Sequence, residues 1–338
     1  VAAAASSLIP FAGPAGFALT ASAEGHLHTK FEADGATQID FTEFTVELYI
    51  KTSVAVDNND VILSLLNAES ASLSLMFLAD GTYGAMLDGN LLVTGLLLND
   101  GVWHHLAVAS KIDEFYKMNY SFLVDGVVVA THADGPSTLS IDSMEVGKFV
   151  GSVDDIQIWT TARSTETIAA EMHSVILMNH ADDLLLYYSF DYEVTAGIVT
   201  DKAGPYNGVV VGSLAVEGST APIDSYIAHG VQDTELSIEL IASLGPTLSD
   251  TDSFIFIADL PKHGALYLNT MPLTQITATP FHLDKSDEVI FQPEDHVHDV
   301  EGKPYDSFTF GVYNGGLDEN PNPVSHQSVP VYVSIAPV

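Results

Sequence analysis

The chain has 338 residues, 47% of them hydrophobic, and carries 45 acidic against 10 basic side chains for a formal net charge of −35. Nucleic acid and anionic membranes are bound through Lys and Arg, so this charge argues against both as partners. The absence of cysteine excludes disulfides, thiolate metal sites and cysteine catalysis.

Length and charge give two further expectations. A globular chain of this size exceeds the usual 100–200 residues of one domain, so two domains are expected. The acidity has two open interpretations, which are solubility in a salty medium and binding of multivalent cations such as Ca²⁺. Both predict an extracellular or cell-surface protein. No run of 18 apolar residues is present, so membrane insertion is not expected.

The first region consists of short apolar runs that end at Gly, Asp, Asn or Pro, as strands do. The opening residues 1–20 predict a linker or a first strand. Residues 41–52 alternate between an apolar face that includes Phe44, Val46 and Leu48 and a second face with polar residues, which predicts a half-buried antiparallel strand. Further strands are predicted at intervals of about 8–15 residues up to residue 133, a spacing typical of a sandwich or barrel.

Turns and one helix complete the first region. Asp-Gly pairs at 88–89 and 125–126 predict two tight hairpins. Ser164 followed by Ile168, Met172 and Val175 at helical spacing predicts a helix over 164–176. The buried core is predicted to contain Phe44, Val46, Leu48, Trp103, Leu106, Val108, Ile156, Ile158 and Trp159.

The second region follows a stretch of small residues. We predict a first domain over 1–215, a linker over 216–226 and a second β-sandwich over 227–338. The chain ends in Ala-Pro-Val, which suggests one piece of a longer repeat array.

Three motifs in order carry a family resemblance in the first region: DGVWHHLAVA at 100–109, YSFLVDGVVVAT at 120–131 and FVGSVDDIQIWTTARS at 149–164. This pattern resembles the laminin-G-like and pentraxin-like jelly rolls of the concanavalin A-like superfamily. The resemblance covers roughly residues 15–215. It implies a jelly-roll sandwich that binds glycan or protein outside the cell.

The second region is similar to the cadherin-like tandem repeats of large microbial and algal surface proteins. The similarity rests on ADLPKHGALYL at 258–268, DEVIFQPE at 287–294 and DSFTFGVYNGG at 306–316. It implies a smaller Ig-like or cadherin-like sandwich that acts as a spacer. The predicted fold class is therefore all-β, with a jelly roll followed by this second sandwich.

Metal ligands are implied by the first resemblance, since a Ca²⁺ often lies at the sandwich edge in such folds. At the positions of this sequence that match the family's motifs, the implied ligands are Asp34 and Gly35, with Asp154 or Asp155. His104 and His105 are adjacent on a strand and point to opposite faces, which argues against a shared site. Asn119 begins the sequon Asn-Tyr-Ser, which becomes relevant only in a eukaryotic secreted protein.

Catalysis is not expected. Glycosidases of the concanavalin A-like superfamily carry a Glu-x-Asp-x-x-Glu strand that this sequence lacks, and paired carboxylates perform glycoside hydrolysis. We therefore predict a non-enzymatic adhesion module that binds glycan or an extracellular protein. The alternatives are a purely structural subunit that self-associates into a surface filament or coat, and a polysaccharide hydrolase.

Overall fold

The computed structural model of the chain describes residues 16–21, 25–33, 35, 37–54, 60–68, 70–87, 89–177, 183–190, 197–240, 253–283, 288–299, 303–314 and 328–336. These residues form 28 strands and one short helix, and the strands build two successive sandwiches. The all-β prediction of a jelly roll followed by a further sandwich is confirmed.

The first sandwich consists of two large sheets. One of them, here the covered sheet, has the strand order β11-β10-β9-β4-β14-β1-β19, with β16 also paired to β14. Its strands are β1 (Phe17–Ala21), β4 (Phe44–Lys51), β9 (Trp103–Ile112), β10 (Met118–Val124), β11 (Val127–His132), β14 (Gly151–Trp159), β16 (Leu184–Tyr188) and β19 (Ala215–Gly218).

The other sheet of the first sandwich, here the open sheet, has the order β17-β18-β2-β13-β5-β6-β7-β8. Its strands are β2 (His26–Lys30), β5 (Val61–Asn67), β6 (Ser70–Phe77), β7 (Thr82–Leu87), β8 (Asn90–Leu97), β13 (Ser143–Gly147), β17 (Ile198–Val199) and β18 (Gly208–Val211). A separate pair joins β3 (Ile39–Phe41) to β12 (Leu139–Ile141).

The second sandwich has a six-stranded and a four-stranded sheet, ordered β15-β20-β28-β27-β22-β25 and β21-β26-β23-β24. Its strands are β15 (Ser174–Leu177), β20 (Ser225–Val231), β21 (Leu236–Glu239), β22 (Ser253–Asp259), β23 (Gly264–Leu268), β24 (Thr274–Gln275), β25 (Phe281–His282), β26 (Glu288–Pro293), β27 (Asp306–Asn314) and β28 (Val329–Ala336).

The core of the first sandwich lies between its two sheets and contains most of the predicted residues. Eight of the nine predicted core side chains are buried: Phe44, Val46, Leu48, Leu106, Val108, Ile156, Ile158 and Trp159. Trp103 is only half-buried, because it lies at the start of β9, where its indole Nε1 donates to Oγ1 of Thr220 at 3.0 Å. The alternation therefore predicted the inward face correctly.

Strand β4 corrects the prediction of a half-buried strand over 41–52. Thr45, Glu47 and Tyr49 face away from the first core and yet are at most 1% exposed. Tyr49 belongs to the same cluster of buried side chains as Ile227 and Phe310 of the second sandwich. The outer face of the covered sheet is buried because the second sandwich packs against it.

The predicted helix over 164–176 is too long. Helix α1 spans Thr165–Glu171, with Ser164 as N-cap accepting a hydrogen bond from the amide of Thr167. The following residues, 174–177, form β15 and pair in parallel with β20 of the second sandwich. All four side chains of β15 are buried, and this burial outweighs the helical spacing. Among the described residues, no helix is long and apolar enough to cross a membrane.

Two strands near the predicted domain boundaries pair across them. Strand β15 lies within the predicted first domain but belongs to the sheet of the second sandwich, while β19, at the start of the predicted linker, pairs with β1 in the covered sheet. The predicted hairpin at 125–126 joins β10 to β11, with Asp125 and Gly126 both at positive φ. Gly89 turns the other hairpin, whose Asp88 lies outside the described residues.

Candidate functional site

The outer face of the covered sheet carries a buried ionic network at the junction with the second sandwich. Arg163, the only arginine in the chain, donates to the carboxylates of Glu47 and Glu171. Nε2 of His105 lies 3.4 Å from Oε2 of Glu47, and Nε2 of His229 lies 3.7 Å from Oε2 of Glu171. None of these five side chains is more than 20% exposed. This face is used for packing within the chain.

Burial shapes the protonation of the network. It raises the pKa of Glu171 to about 7, against the opposing effect of Arg163. It also lowers the pKa of His229 to about 3, and Arg163 adds to this shift. Burial works against the charge of Glu47, but Arg163 and His105 outweigh it and hold the pKa of Glu47 below its usual value. The network is therefore built around one permanent cation.

The residues predicted as metal ligands lie on different parts of the first sandwich. Asp154 and Asp155 are buried in β14 of the covered sheet. Oδ2 of Asp154 accepts from Oγ of Ser219 at 2.5 Å, and Oδ2 of Asp155 accepts from Nε2 of Gln157 at 2.7 Å. Gly35 lies in an exposed turn after β2 of the open sheet. Asp34 lies outside the described residues.

The calcium site stays a prediction. Ca²⁺ takes six to eight oxygen ligands, and the carboxylates of Asp154 and Asp155 also accept hydrogen bonds from Ser219 and Gln157. Within the described ranges, no three His, Asp or Glu side chains gather as metal ligands.

Thermal melting tests the predicted calcium site. If Asp34 and Gly35, with Asp154 or Asp155, hold Ca²⁺, calcium at about 100 times its dissociation constant stabilises the fold by roughly 2.7 kcal/mol. For a domain near 200 residues this is a Tm increase on the order of 5–10 °C. Mg²⁺ at the same ionic strength should give a smaller shift, because it requires a tight octahedral shell. An equal calcium shift in Asp34→Asn/Asp154→Asn/Asp155→Asn contradicts the site.

The two adjacent histidines of β9 have separate environments, as the alternation predicts. Nδ1 of His104 lies 2.9 Å from Oδ2 of Asp125, and its Nε2 lies 3.3 Å from Oδ1 of Asp100. His105 instead faces Glu47 in the buried network and packs edge-on against Tyr49. The structure thus does not bring the two imidazoles into one site.

The open sheet presents a continuous row of side chains on its outer face. Strand pairing places His28, Glu145, Ser64 and Ser74 side by side on four neighbouring strands. The row continues through Met86 on β7 and Leu91 on β8, and beyond His28 it reaches Val209 on β18. At about 4.8 Å between strands, the four polar positions span roughly 14 Å. We call this row, from Val209 to Leu91, the open-face row.

The centre of the open-face row consists of two small polar side chains that are almost completely buried. Ser64 and Ser74 are only 5% and 3% exposed, although the neighbouring Leu63, Leu65, Leu73 and Leu75 occupy the inward positions of the same strands. Their hydroxyls lie 2.7 Å apart and hydrogen-bond to each other. The small serines are flanked on their outer sides by the larger Glu145 and Met86. The row therefore combines polar side chains at its centre with apolar side chains at its margins.

A charged cluster lies at one end of the row. The carboxylate of Glu145 accepts from Nζ of Lys148 and lies 3.6 Å from Nε2 of His26. His28 is the direct cross-strand neighbour of Glu145. We call His26, His28, Glu145 and Lys148 the cation cluster.

A second exposed surface is the loop between β9 and β10. Phe115 and Tyr116 are each 72% exposed. Oδ1 of Asp113 accepts from the amides of Phe115 and Lys117 at 2.8 and 3.0 Å, and this fixes the loop backbone. Tyr116 has a φ of 59°, in the left-handed region. The loop presents two aromatic side chains to solvent on an ordered backbone.

Sequence reasoning missed the open-face row. The signals were present, because His26 and His28 flank Leu27 in a period-two pattern, and Ser64 and Ser74 each lie between two leucines of an apolar strand. Alternation alone identified these strands but not their place in one sheet. Lys148 gave no signal, since it lies in the turn after β13.

The comparisons with known proteins agree with this fold. Residues 25–169 match the model of the concanavalin A-like lectin/glucanases superfamily. A candidate carbohydrate-binding protein from Bacteroides ovatus is 20% identical, with a TM-score of 0.50, and the similarity covers 62% of this chain and 61% of that one. At this identity the likeness shows a shared fold alone. The first sandwich is therefore concanavalin A-like, as predicted.

Two further solved structures are similar over parts of the chain. A pentraxin from Limulus polyphemus is 14% identical, with a TM-score of 0.42, over 63% of this chain and 98% of that chain. A carbohydrate-binding module of a Ruminococcus gnavus sialidase, bound to sialyllactose, is 19% identical, with a TM-score of 0.31, over 38% of this chain and 80% of that chain. Comparison with curated proteins gives no match.

Proposed function

We propose that this chain is a non-catalytic module that binds glycan on the outer face of its open sheet. The observation that carries the proposal is the open-face row, in which Glu145, Ser64 and Ser74 form a polar strip between apolar margins. A sugar ring offers hydroxyls around its edge and C–H groups on its faces. A strip of hydrogen-bonding groups beside methionine and leucine side chains matches both.

The two faces of the first sandwich differ in their availability. The covered sheet is packed against the second sandwich, and its outward Glu47 and Tyr49 are at most 1% exposed. The open sheet keeps apolar side chains in contact with solvent at both margins, since Leu91 and Val209 are 48% and 50% exposed. This asymmetry favours the open sheet as the ligand face. The match to the concanavalin A-like family and the carbohydrate-binding protein of similar fold support the same proposal.

A non-catalytic role is supported by the carboxylates of the open face. Glycoside hydrolysis requires two carboxyl groups separated by roughly 5–9.5 Å. Within the described strands of the open sheet, Glu145 is the one acidic residue that faces outward, and its carboxylate is bonded to Lys148. Release of reducing sugar from polysaccharides would contradict the proposal.

Glycan arrays and matched variants test the ligand face. We expect array hits with micromolar affinity, and Ser64→Leu/Ser74→Leu should weaken binding by about tenfold, because larger side chains at these two positions would occupy the space above the strip that a ligand needs. The double change leaves neither hydroxyl without its partner. The control is Ser121→Leu/Thr131→Leu, which makes the same changes in size at two paired positions of the covered sheet. Equal loss in both double variants contradicts the assignment of the face.

We further propose an extracellular or cell-surface setting in which the module serves adhesion. The net charge of −35 suits a salty medium, where screening acts within about 10 Å. The second sandwich is proposed to be a cadherin-like repeat. The exposed aromatic pair Phe115 and Tyr116 supports contact with an extracellular protein, because aromatic residues are enriched in protein interfaces.

A structural subunit is the second candidate function. Strand β8 lies at the edge of the open sheet and carries no charged residue, and its Leu91, Val93 and Leu97 are 48–61% exposed. Exposed apolar edge strands tend to pair with other chains. A blank glycan array together with filaments of the purified protein would favour this candidate over glycan binding.

A further inference from the structure

We infer that the ligand of the open face is an acidic glycan, whose carboxylate or sulfate binds at the cation cluster through His26, His28 and Lys148. This inference rests on the proposed glycan-binding function and specifies its substrate class. The chain has only ten Lys and Arg against 45 acidic residues. A group of three nitrogen-bearing side chains around a single carboxylate is therefore out of keeping with the rest of the chain.

The geometry places the cluster at the end of the polar strip. His28 is paired with Glu145, and Glu145 with Ser64, so the histidine continues the row formed by the serines. His26 lies two residues away on the same face of β2 and contacts Glu145. A sugar over Ser64 and Ser74 would carry its next ring over His28. An acidic substituent on that ring would meet the imidazoles.

Lys148 is held at the cluster by a strained backbone. Its φ is 65°, in the left-handed region that L-residues rarely adopt. The preceding Gly147 has a φ of 117°, and a Cβ there would come within 3.0 Å of the carbonyl oxygen of Gly25. This turn brings Nζ of Lys148 back to Glu145. Strain of this kind concentrates at binding sites, and the lysine remains 43% exposed and accessible to a ligand.

The charges around His26 make anion binding depend on pH. Burial lowers the pKa of His26, Lys148 and His28 lower it further, and Glu145 opposes them. On the other side of β2, the strand β18 places only the uncharged Val209 and Val211 beside His28 and His26. At neutral pH the imidazole is thus mainly neutral. An anionic ligand adds a negative charge that favours the imidazolium, so binding and protonation are linked.

The test uses a glycan array of matched pairs, with uronate oligomers beside their methyl esters and sulfated beside unsulfated forms. We expect the acidic member of a pair to bind about tenfold more tightly, in keeping with one added ion pair near a protein surface. The preference should increase from pH 7.5 to pH 5.5 and decrease at high salt. Lys148→Gln should abolish this preference, because it removes the permanent positive charge of the cation cluster.

The control variant is Lys111→Gln, which removes the same charge from the covered sheet and should keep the acidic preference. Equal affinity for acidic and neutral members would overturn the inference and leave the proposed glycan-binding function standing. Loss of the preference in Lys111→Gln as well as in Lys148→Gln would also overturn it, since overall charge would then be responsible. An array without any hit would instead contradict the proposed function itself.

Discussion

Arg163→Met should destabilise the protein by about 3–5 kcal/mol, because it removes the cation that two buried carboxylates share. Methionine keeps much of the side-chain volume beside Trp159, whose ring centroid lies 4.3 Å from the guanidinium carbon. Glu47 and Glu171 would lose their common donor. The expected decrease in Tm is roughly 10 °C. Denaturant unfolding of the whole chain measures the free energy.

Two control variants separate the buried network from general charge effects. Lys111→Met removes an exposed cation and should change stability by less than about 0.5 kcal/mol. The triple variant Glu47→Gln/Arg163→Met/Glu171→Gln should recover much of the loss, since replacing a complete buried ionic group costs far less than breaking it. If Arg163→Met is no more destabilising than Lys111→Met, the network does not hold the junction.

Glu171 and His229 should give opposing pH dependences of stability. The pKa of Glu171 is raised from 4.5 to about 7. Its contribution to the free energy of unfolding is therefore complete below about pH 4.5 and is lost as the pH rises through 7. The pKa of His229 is lowered from 6.5 to about 3. Its contribution to the free energy of unfolding is therefore complete above about pH 6.5 and is lost as the pH falls through 3. Between pH 4.5 and 6.5 the two slopes cancel.

Single variants should reveal the two slopes. In Glu171→Gln the unfolding free energy should rise by about 2 kcal/mol from pH 5 to pH 8, relative to the wild type. The reason is that the pH dependence of His229 is then no longer cancelled by that of Glu171. His229→Gln should give a change of similar size and opposite sign. The groups around Glu171 are Arg163, Glu47, Asp299 and His229, and the first three are retained in both variants.

The double variant Glu171→Gln/His229→Gln completes this test. It should have a profile parallel to that of the wild type, because the two contributions are removed together. Denaturant unfolding between pH 4.5 and 8 measures all four proteins. Parallel profiles for the wild type and both single variants would show that neither group titrates as its buried position requires.

Much of the first sandwich was predictable from the sequence, because side-chain alternation is a local property of a strand. The inward positions Phe44, Val46 and Leu48 follow from the pattern alone. The Asp-Gly turn at 125–126 also follows, since its residues adopt positive φ at small cost. The resemblance carried by residues 100–164 indicated the jelly roll before any strand pairing was known.

The outer faces of the sheets were decided only by tertiary structure. Alternation indicates which residues share a face but not what packs against that face, and Arg163 reaches Glu47 across 116 positions in the chain. For the same reason residues 174–177 became a strand in the second sandwich, where pairing with β20 outweighs local helical spacing. The open-face row likewise depends on the order of seven strands. The sequence by itself determined the strands and their inward faces, whereas packing between distant segments determined which outer face is buried and which remains open to a ligand.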